Sequence, residues 1–165
     1  MAGTSGADAG SVDAGGPDAR WSAREAFLSG LAIPAVPLAL HRDRSFDEVS
    51  QKALMRYYVD AGVGGVAVGV HSTQFAIRDI PGFYDELLGF ASTVVDEWAG
   101  RSGRQLVKIA GICGARDQAL DEVDLALSHG YHAGLVSLTA LGDAPLDALL
   151  EHMRLVADRI PVVGF

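Results

Sequence analysis

Five nearly continuous apolar runs punctuate the chain: Ile33–Leu40, Gly65–Val70, Leu106–Ile112, Gly134–Leu138 and Pro161–Phe165. Each is rich in Val, Ile, Leu and Ala, the composition of strands buried on both faces. The gap between successive runs is long enough to hold a helix. Hairpin signals are missing, since the chain contains no Asn and therefore no Asn-Gly turn. Strand, loop, amphipathic helix and glycine recur in that order, which predicts βα units and a parallel sheet.

The helices announce themselves by spacing. Ser45-Phe46-Asp47-Glu48 reads as a capping box, followed at helical intervals by Phe46, Val49, Ala53 and Tyr57 and stopped at Gly62. A second helix is expected from Tyr84 to Ala99, with Leu87, Leu88, Val94, Val95 and Trp98 inward. A third spans Arg116–Ser128, with Leu120, Val123 and Leu127 on one face. A fourth carries Leu146, Leu149, Leu150, Met153 and Val156. All four stripes are expected to be core. Ordered structure is expected to begin near Trp21, with a short helical or irregular lead-in around Ala23–Leu28.

Residues 1–20 stand apart. They are mostly Ala, Gly, Asp and Ser, too poor in apolar surface to offset their ordering entropy, and read as a flexible tail. The domain is therefore expected over residues 21–165. Across the whole chain 13 Lys and Arg stand against 21 Asp and Glu, a net charge of −8, with no basic cluster. That balance excludes a phosphate-backbone binder and so a nucleic-acid partner. Hydrophobic residues make up 49 %, enough for a core. No run is long enough to span a membrane, and the N-terminus lacks the basic and apolar segments of a signal peptide. The single cysteine, Cys113, excludes an internal disulfide and a multi-cysteine zinc site. A cytoplasmic, soluble protein is the expectation.

Two parallel architectures fit: an open doubly wound sheet, or part of a (β/α)8 barrel. A complete barrel takes about 250 residues, and this chain offers about four βα units and a fifth strand. The last run, Pro161–Phe165, has no helix after it to cover it. Such an edge is sticky, so the sequence reads as the N-terminal part of a barrel, cut at its fifth strand.

Chemistry in such sheets sits at the C-terminal ends of the strands. Those ends offer His41-Arg42-Asp43, then His71-Ser72-Thr73-Gln74, then Cys113 and Arg116, then Thr139. The second group is the richest, because a turn there can aim hydroxyls and backbone N–H groups at a carboxylate or carbonyl oxygen. The alternative is a solvated loop with local side-chain bonds. His41-Arg42-Asp43 reads as a polar lead into a helix, and Cys113 as a small hydrophobe. Lys108 interrupts an apolar run, but early in it, at the end of the sheet associated with stability, where a structural ion pair or a snorkelling stem is the expected role rather than a Schiff base. Gly62-Val63-Gly64-Gly65 precedes a strand, the reverse of a dinucleotide fingerprint. His129 and His132 are separated by Gly130 and share no helix face, so no metal is expected.

The order of these segments resembles the N-terminal half of the dihydrodipicolinate synthase/N-acetylneuraminate lyase family, Schiff-base lyases and aldolases on a (β/α)8 barrel. Ile33-Pro34-Ala35-Val36-Pro37-Leu38 is similar to that family's first strand. Ala61-Gly62-Val63-Gly64-Gly65-Val66-Ala67-Val68-Gly69 is similar to the approach to its second, and Lys108-Ile109-Ala110-Gly111-Ile112-Cys113-Gly114 to its third. Gly130-Tyr131-His132-Ala133-Gly134-Leu135-Val136 resembles the entry to the fourth strand, and Ile160-Pro161-Val162-Val163 the start of the fifth. The resemblance covers residues 30–165 in collinear order. There are departures. The family's Gly-Thr-Thr-Gly-Glu turn is replaced by Val70-His71-Ser72-Thr73-Gln74. Its fifth-strand tyrosine falls on Phe165, and its tyrosine pair after strand four on Ala140-Leu141.

The resemblance implies imine formation between a lysine and a 2-oxo acid, without metal or organic cofactor, in a protein that is a homo-oligomer when full length. It places substrate binding on Ser72, Thr73 and Gln74 and acid–base work on His71 and Thr73. The family's imine lysine lies on strand six, beyond this chain, so 165 residues alone are expected to be inactive. A different reading is a non-catalytic half-barrel that pairs through its open edges as a binding or assembly module, which a strand-six lysine would reject. An open-sheet small-ligand binder is a third, disfavoured by the lack of a phosphate loop.

Overall fold

The computed structural model describes residues 21–164. The proposed flexible tail and Phe165 lie outside the described residues. In chain order the elements are α1 (Ala23–Leu28), α2 (Glu48–Asp60), β1 (Gly65–Val68), α3 (Phe83–Gly100), β2 (Val107–Ile112), α4 (Arg116–Ser128), β3 (Ala133–Val136), α5 (Leu146–Ala157) and β4 (Val162–Val163). The sheet order is β1-β2-β3-β4, all parallel. Alternation along β2 splits its side chains between two compartments. Ala110 and Ile112 join Val66, Val68 and Val136 against the helix layer. Val107 and Ile109 face the other way with Ala67 and Ala133, where Ala23 and Ala26 of α1 pack on them.

The first apolar run forms less of a strand than its composition suggests. It lies along β1, with Gly64 N–H donating to Ala32 (3.0 Å), Ala67 N–H to Pro34 (2.9 Å) and Val36 N–H to Ala67 (2.8 Å), but only Ala35 pairs formally with Ala67. Pro34 and Pro37 have no N–H to give, which breaks the ladder.

Three helices turn a different face inward from the one expected. Along α2, Gln51, Met55 and Val59 are buried, while Val49 is 81 % exposed and Tyr57 66 %. The capping box does not form: Ser45 Oγ donates to Asp43 (2.6 Å), and Asp47 caps α2 by accepting from Ser50 N–H (2.9 Å). Gln51 misleads because it is polar, yet its amide serves the chain outside the helix, accepting from Ala39 N–H (2.7 Å) and donating to Pro37 (3.2 Å). In α4 the buried line is Ala119, Glu122, Val123 and Ala126, with Leu127 exposed. In α5 His152 and Val156 are buried, with Leu146 and Leu150 outward. The expected stripe of α3 holds, Trp98 being half-buried.

The corrected face of α2 sets an expectation. Val59→Ala removes two buried methyl groups and will lower stability by about 2 kcal/mol. Val49→Ala will change it by less than about 0.5 kcal/mol. Urea unfolding of the two variants checks the assignment.

Candidate functional site

The C-terminal end of β1 leads into the richest of the sequence-defined segments. After Val68 the backbone turns left-handed at Gly69 (φ 67°), which suits glycine, and a 3-10 turn runs over Ser72–Asp79. Gln74 N–H closes its start on His71 C=O (2.9 Å). His71 is exposed. Gln74 is buried, and its side-chain amide donates to Val36 C=O (3.0 Å), tying the turn to the first apolar run. The backbone of Ser72 and Thr73 belongs to the turn, while their side chains lie outside the described part. An apolar hollow of about 320 Å³ lies on the α1 side of the sheet, lined by Phe27, Leu31, Ala67, Ile109 and Leu135 among others; Val70, just ahead of the turn, also lines it, and neither His71 nor Gln74 does.

Behind the turn lies a buried ionic cluster that sequence reasoning missed. Arg78 comes from the turn and Glu122 from α4, with side chains only 9 % and 5 % exposed. Arg78 Nε and Nη2 donate to the two Glu122 oxygens (3.1 and 3.3 Å). The remaining donors go to backbone: Nη1 to Gly69 C=O (3.2 Å) and Gln74 C=O (3.5 Å), Nη2 to Gly111 C=O (2.9 Å). Tyr84 Oη also donates to Gly111 C=O, and its ring lies 4.0 Å beneath the guanidinium. Glu122 accepts further bonds from Cys113 N–H and Gln118 Nε2 (2.9 Å each). Burial works against the charge of Arg78, but Glu122 more than offsets it and holds the guanidinium above its ordinary range. Burial also raises the phenol of Tyr84.

The strand ends meet closely here. A Cβ on Gly111 would come within 2.2 Å of Gly69 O, so only glycine lets the ends of β1 and β2 converge. Glu122 stands with Ala119, Val123 and Ala126 on the buried face of α4, a face the apolar spacing did not select. Its partner is 44 residues away, and no spacing rule reaches that far.

The other sequence candidates fall elsewhere. Burial pushes the Cys113 thiol up to about 11, so it is protonated near neutrality and a poor nucleophile. His41 is exposed, 3.7 Å from Asp47, and Asp43 accepts from Ser45 N–H (3.0 Å), a polar loop ahead of α2. Thr139 pairs its hydroxyl with Ser137 (2.9 Å) at the end of β3. Lys108 is far from the turn, near the start of β2. Its Nζ donates to Asp96 (2.6 Å) and Ser92 (2.8 Å) on α3, the structural ion pair expected of it. His129 contacts Asp85 (2.6 Å), while His132 accepts from Lys108 N–H (2.9 Å).

That last bond needs a neutral ring at Nδ1. Burial, with Lys108 nearby, holds His132 below its ordinary value of 6.5, against an opposing pull from Asp96. Burial lowers His152 as well. With folded values depressed, the unfolded chain binds more protons as pH falls below about 6.5. The stability these rings contribute is complete above that pH and is lost as pH falls through their folded values. The urea midpoint is therefore expected to drop as pH falls below about 6.5, and less steeply in His132→Gln.

No family model matches the sequence, and no curated protein matches it. Solved structures do. A putative dihydrodipicolinate synthetase from Pseudomonas aeruginosa superposes with a TM-score of 0.64 at 19 % identity, over 80 % of this chain and 43 % of that one. The fold is shared with the dihydrodipicolinate synthases. The synthase from Aquifex aeolicus gives 0.65 at 21 % identity, over 81 % of this chain and 44 % of the other. A prophage protein of the dihydrodipicolinic acid synthase family from E. coli K12, solved in complex with pyruvate, gives 0.65 at 20 %, over 80 % and 43 %. The chain thus spans under half the length of these synthase structures, and its parallel sheet with covering helices is a partial (β/α)8 barrel. Among the described residues no helix is long and apolar enough to cross a membrane.

Proposed function

We propose that this chain carries the carboxylate-binding side of a lyase or aldolase that processes a 2-oxo acid through a lysine imine. The observation that carries the reading is the His71–Gln74 turn, set at the C-terminal end of β1 in a synthase-like sheet. Barrels of this class keep their chemistry at that end of the strands. Ser72 and Thr73 hold the substrate carboxylate or ketone oxygen, His71 moves a proton with Thr73, and Gln74 braces the turn through Val36. A lysine amine attacks the 2-oxo carbon, water leaves with the carbonyl oxygen, and the protonated imine accepts the electron pair of the carbon–carbon bond that breaks.

The chain has two lysines, and neither suits that role. Lys52 lies on α2, 3.9 Å from Glu97, and Lys108 is committed to Asp96 near the other end of the sheet. The imine lysine is therefore supplied by sequence outside these residues, in a protein that works as a cytoplasmic homo-oligomer without metal or organic cofactor.

Pyruvate titration of the protein at its native length, followed by backbone amide NMR, tests the reading. Shifts are expected over residues 70–75, and the double variant Ser72→Ala/Thr73→Ala is expected to weaken binding by about tenfold or more, the worth of hydrogen bonds to a charged group. Shifts centred elsewhere, or an unchanged affinity in the double variant, would overturn it.

A further inference from the structure

We infer that Arg78 is the positioning residue of the His71–Gln74 turn: one guanidinium holds both ends of the segment that carries Ser72 and Thr73. This rests on the functional reading only in assigning the turn a ligand. The clamp itself is visible in the bonding. Gly69 C=O precedes the segment and Gln74 C=O ends it, and both accept from the same nitrogen, Nη1. Nη2 fixes that nitrogen's position against Gly111 C=O, the end of the neighbouring strand.

The guanidinium has five N–H donors, and the bonds to Gly69, Gln74, Gly111 and the two oxygens of Glu122 occupy them all. None is left for an incoming carboxylate. Arg78 therefore orders the site rather than binding substrate, although its guanidinium bonds to the turn's backbone. Glu122 supplies the charge that lets the guanidinium stay buried, and the Tyr84 ring closes its lower face.

The chemistry makes arginine specific here. A lysine ammonium offers three donors from a single point and cannot span three carbonyls and a carboxylate in one plane. Arg78→Lys keeps the charge and removes the clamp. Amide hydrogen exchange of the protein at its native length reads the result directly. Exchange over residues 70–75 is expected to speed up by about tenfold or more relative to the amides of β2 and β3, the mark of a local opening. The pyruvate dissociation constant is expected to rise by a similar factor. Tyr84→Phe, which removes a bond to Gly111 but none from Arg78, will leave the turn's exchange close to wild type.

Should Arg78→Lys fold poorly, Glu122→Gln tests the same point, because it loosens the counter-charge while keeping the side-chain volume, and its turn should also exchange faster than β2. Equal acceleration throughout the sheet, or none in the turn, would reduce Arg78 to a packing element and overturn the inference. Local acceleration with unchanged pyruvate affinity would overturn the link between clamp and ligand. A wild-type protein that binds no pyruvate sinks the functional reading instead, while the exchange data still decide the clamp.

Discussion

Glu122→Ala will lower the stability of this domain by about 3–5 kcal/mol, the usual consequence of stripping one partner from a buried ion pair. The figure is large because three groups lose their acceptor together. Arg78 is left charged and shielded from water, while Cys113 N–H and the Gln118 amide lose the oxygens they donate to. An unpaired buried donor carries its full desolvation penalty. Chemical denaturation gives the answer as a shift in midpoint at constant slope. A loss below about 1 kcal/mol is what a solvent-screened surface pair would give, and would mean that water reaches the cluster.

The same cluster shows where sequence reasoning stops. The strands were legible because parallel strands buried on both faces are nearly continuous apolar runs: β1, β2 and β4 fall inside three of them, and β3 begins one residue ahead of its own. α1 occupies the lead-in at Ala23–Leu28, and α4 runs from Arg116 to Ser128 ahead of Gly130, as its apolar spacing and that glycine indicate. Rotation of the helices was harder to read. In α2 the Phe46-Val49-Ala53-Tyr57 line is more apolar than the line that is buried, because Gln51 heads the true one and is satisfied by Ala39 and Pro37 in a segment distant in sequence. In α4 Glu122 holds a core position because Arg78 answers it from across the fold. Both errors have one cause: a polar residue becomes a core residue when tertiary partners satisfy it, and those partners are invisible to a local pattern.

The candidate site was half legible. Position at a strand end pointed to His71–Gln74, and the turn is there. Lys108, read as structural from its place early in its run, is ion-paired to Asp96 on α3. What the pattern could not supply was the support behind the turn, since Arg78, Tyr84 and Glu122 read as ordinary members of a loop and two helices. The convergence of Gly69 and Gly111 was equally hidden, because a close approach between strand ends is a three-dimensional fact.

The second large effect is all-or-none. If the chemistry runs through a lysine imine, borohydride reduction in the presence of pyruvate must leave one covalent adduct on the protein at its native length. The structure narrows where that adduct can be. Lys52 is on the outer surface of α2 beside Glu97. Lys108 points into the helix layer, hydrogen-bonded to Asp96 and Ser92, with its charge fully paired and its nitrogen turned away from the sheet's C-terminal end. Neither amine can meet a substrate held by the His71–Gln74 turn.

The decisive measurement is therefore reductive trapping with pyruvate followed by peptide mapping of the modified lysine. The account predicts one adduct, on a lysine other than Lys52 and Lys108, lost when Ser72 and Thr73 are both replaced by alanine. An adduct on Lys108 or Lys52, or no adduct at all at native length, would contradict it.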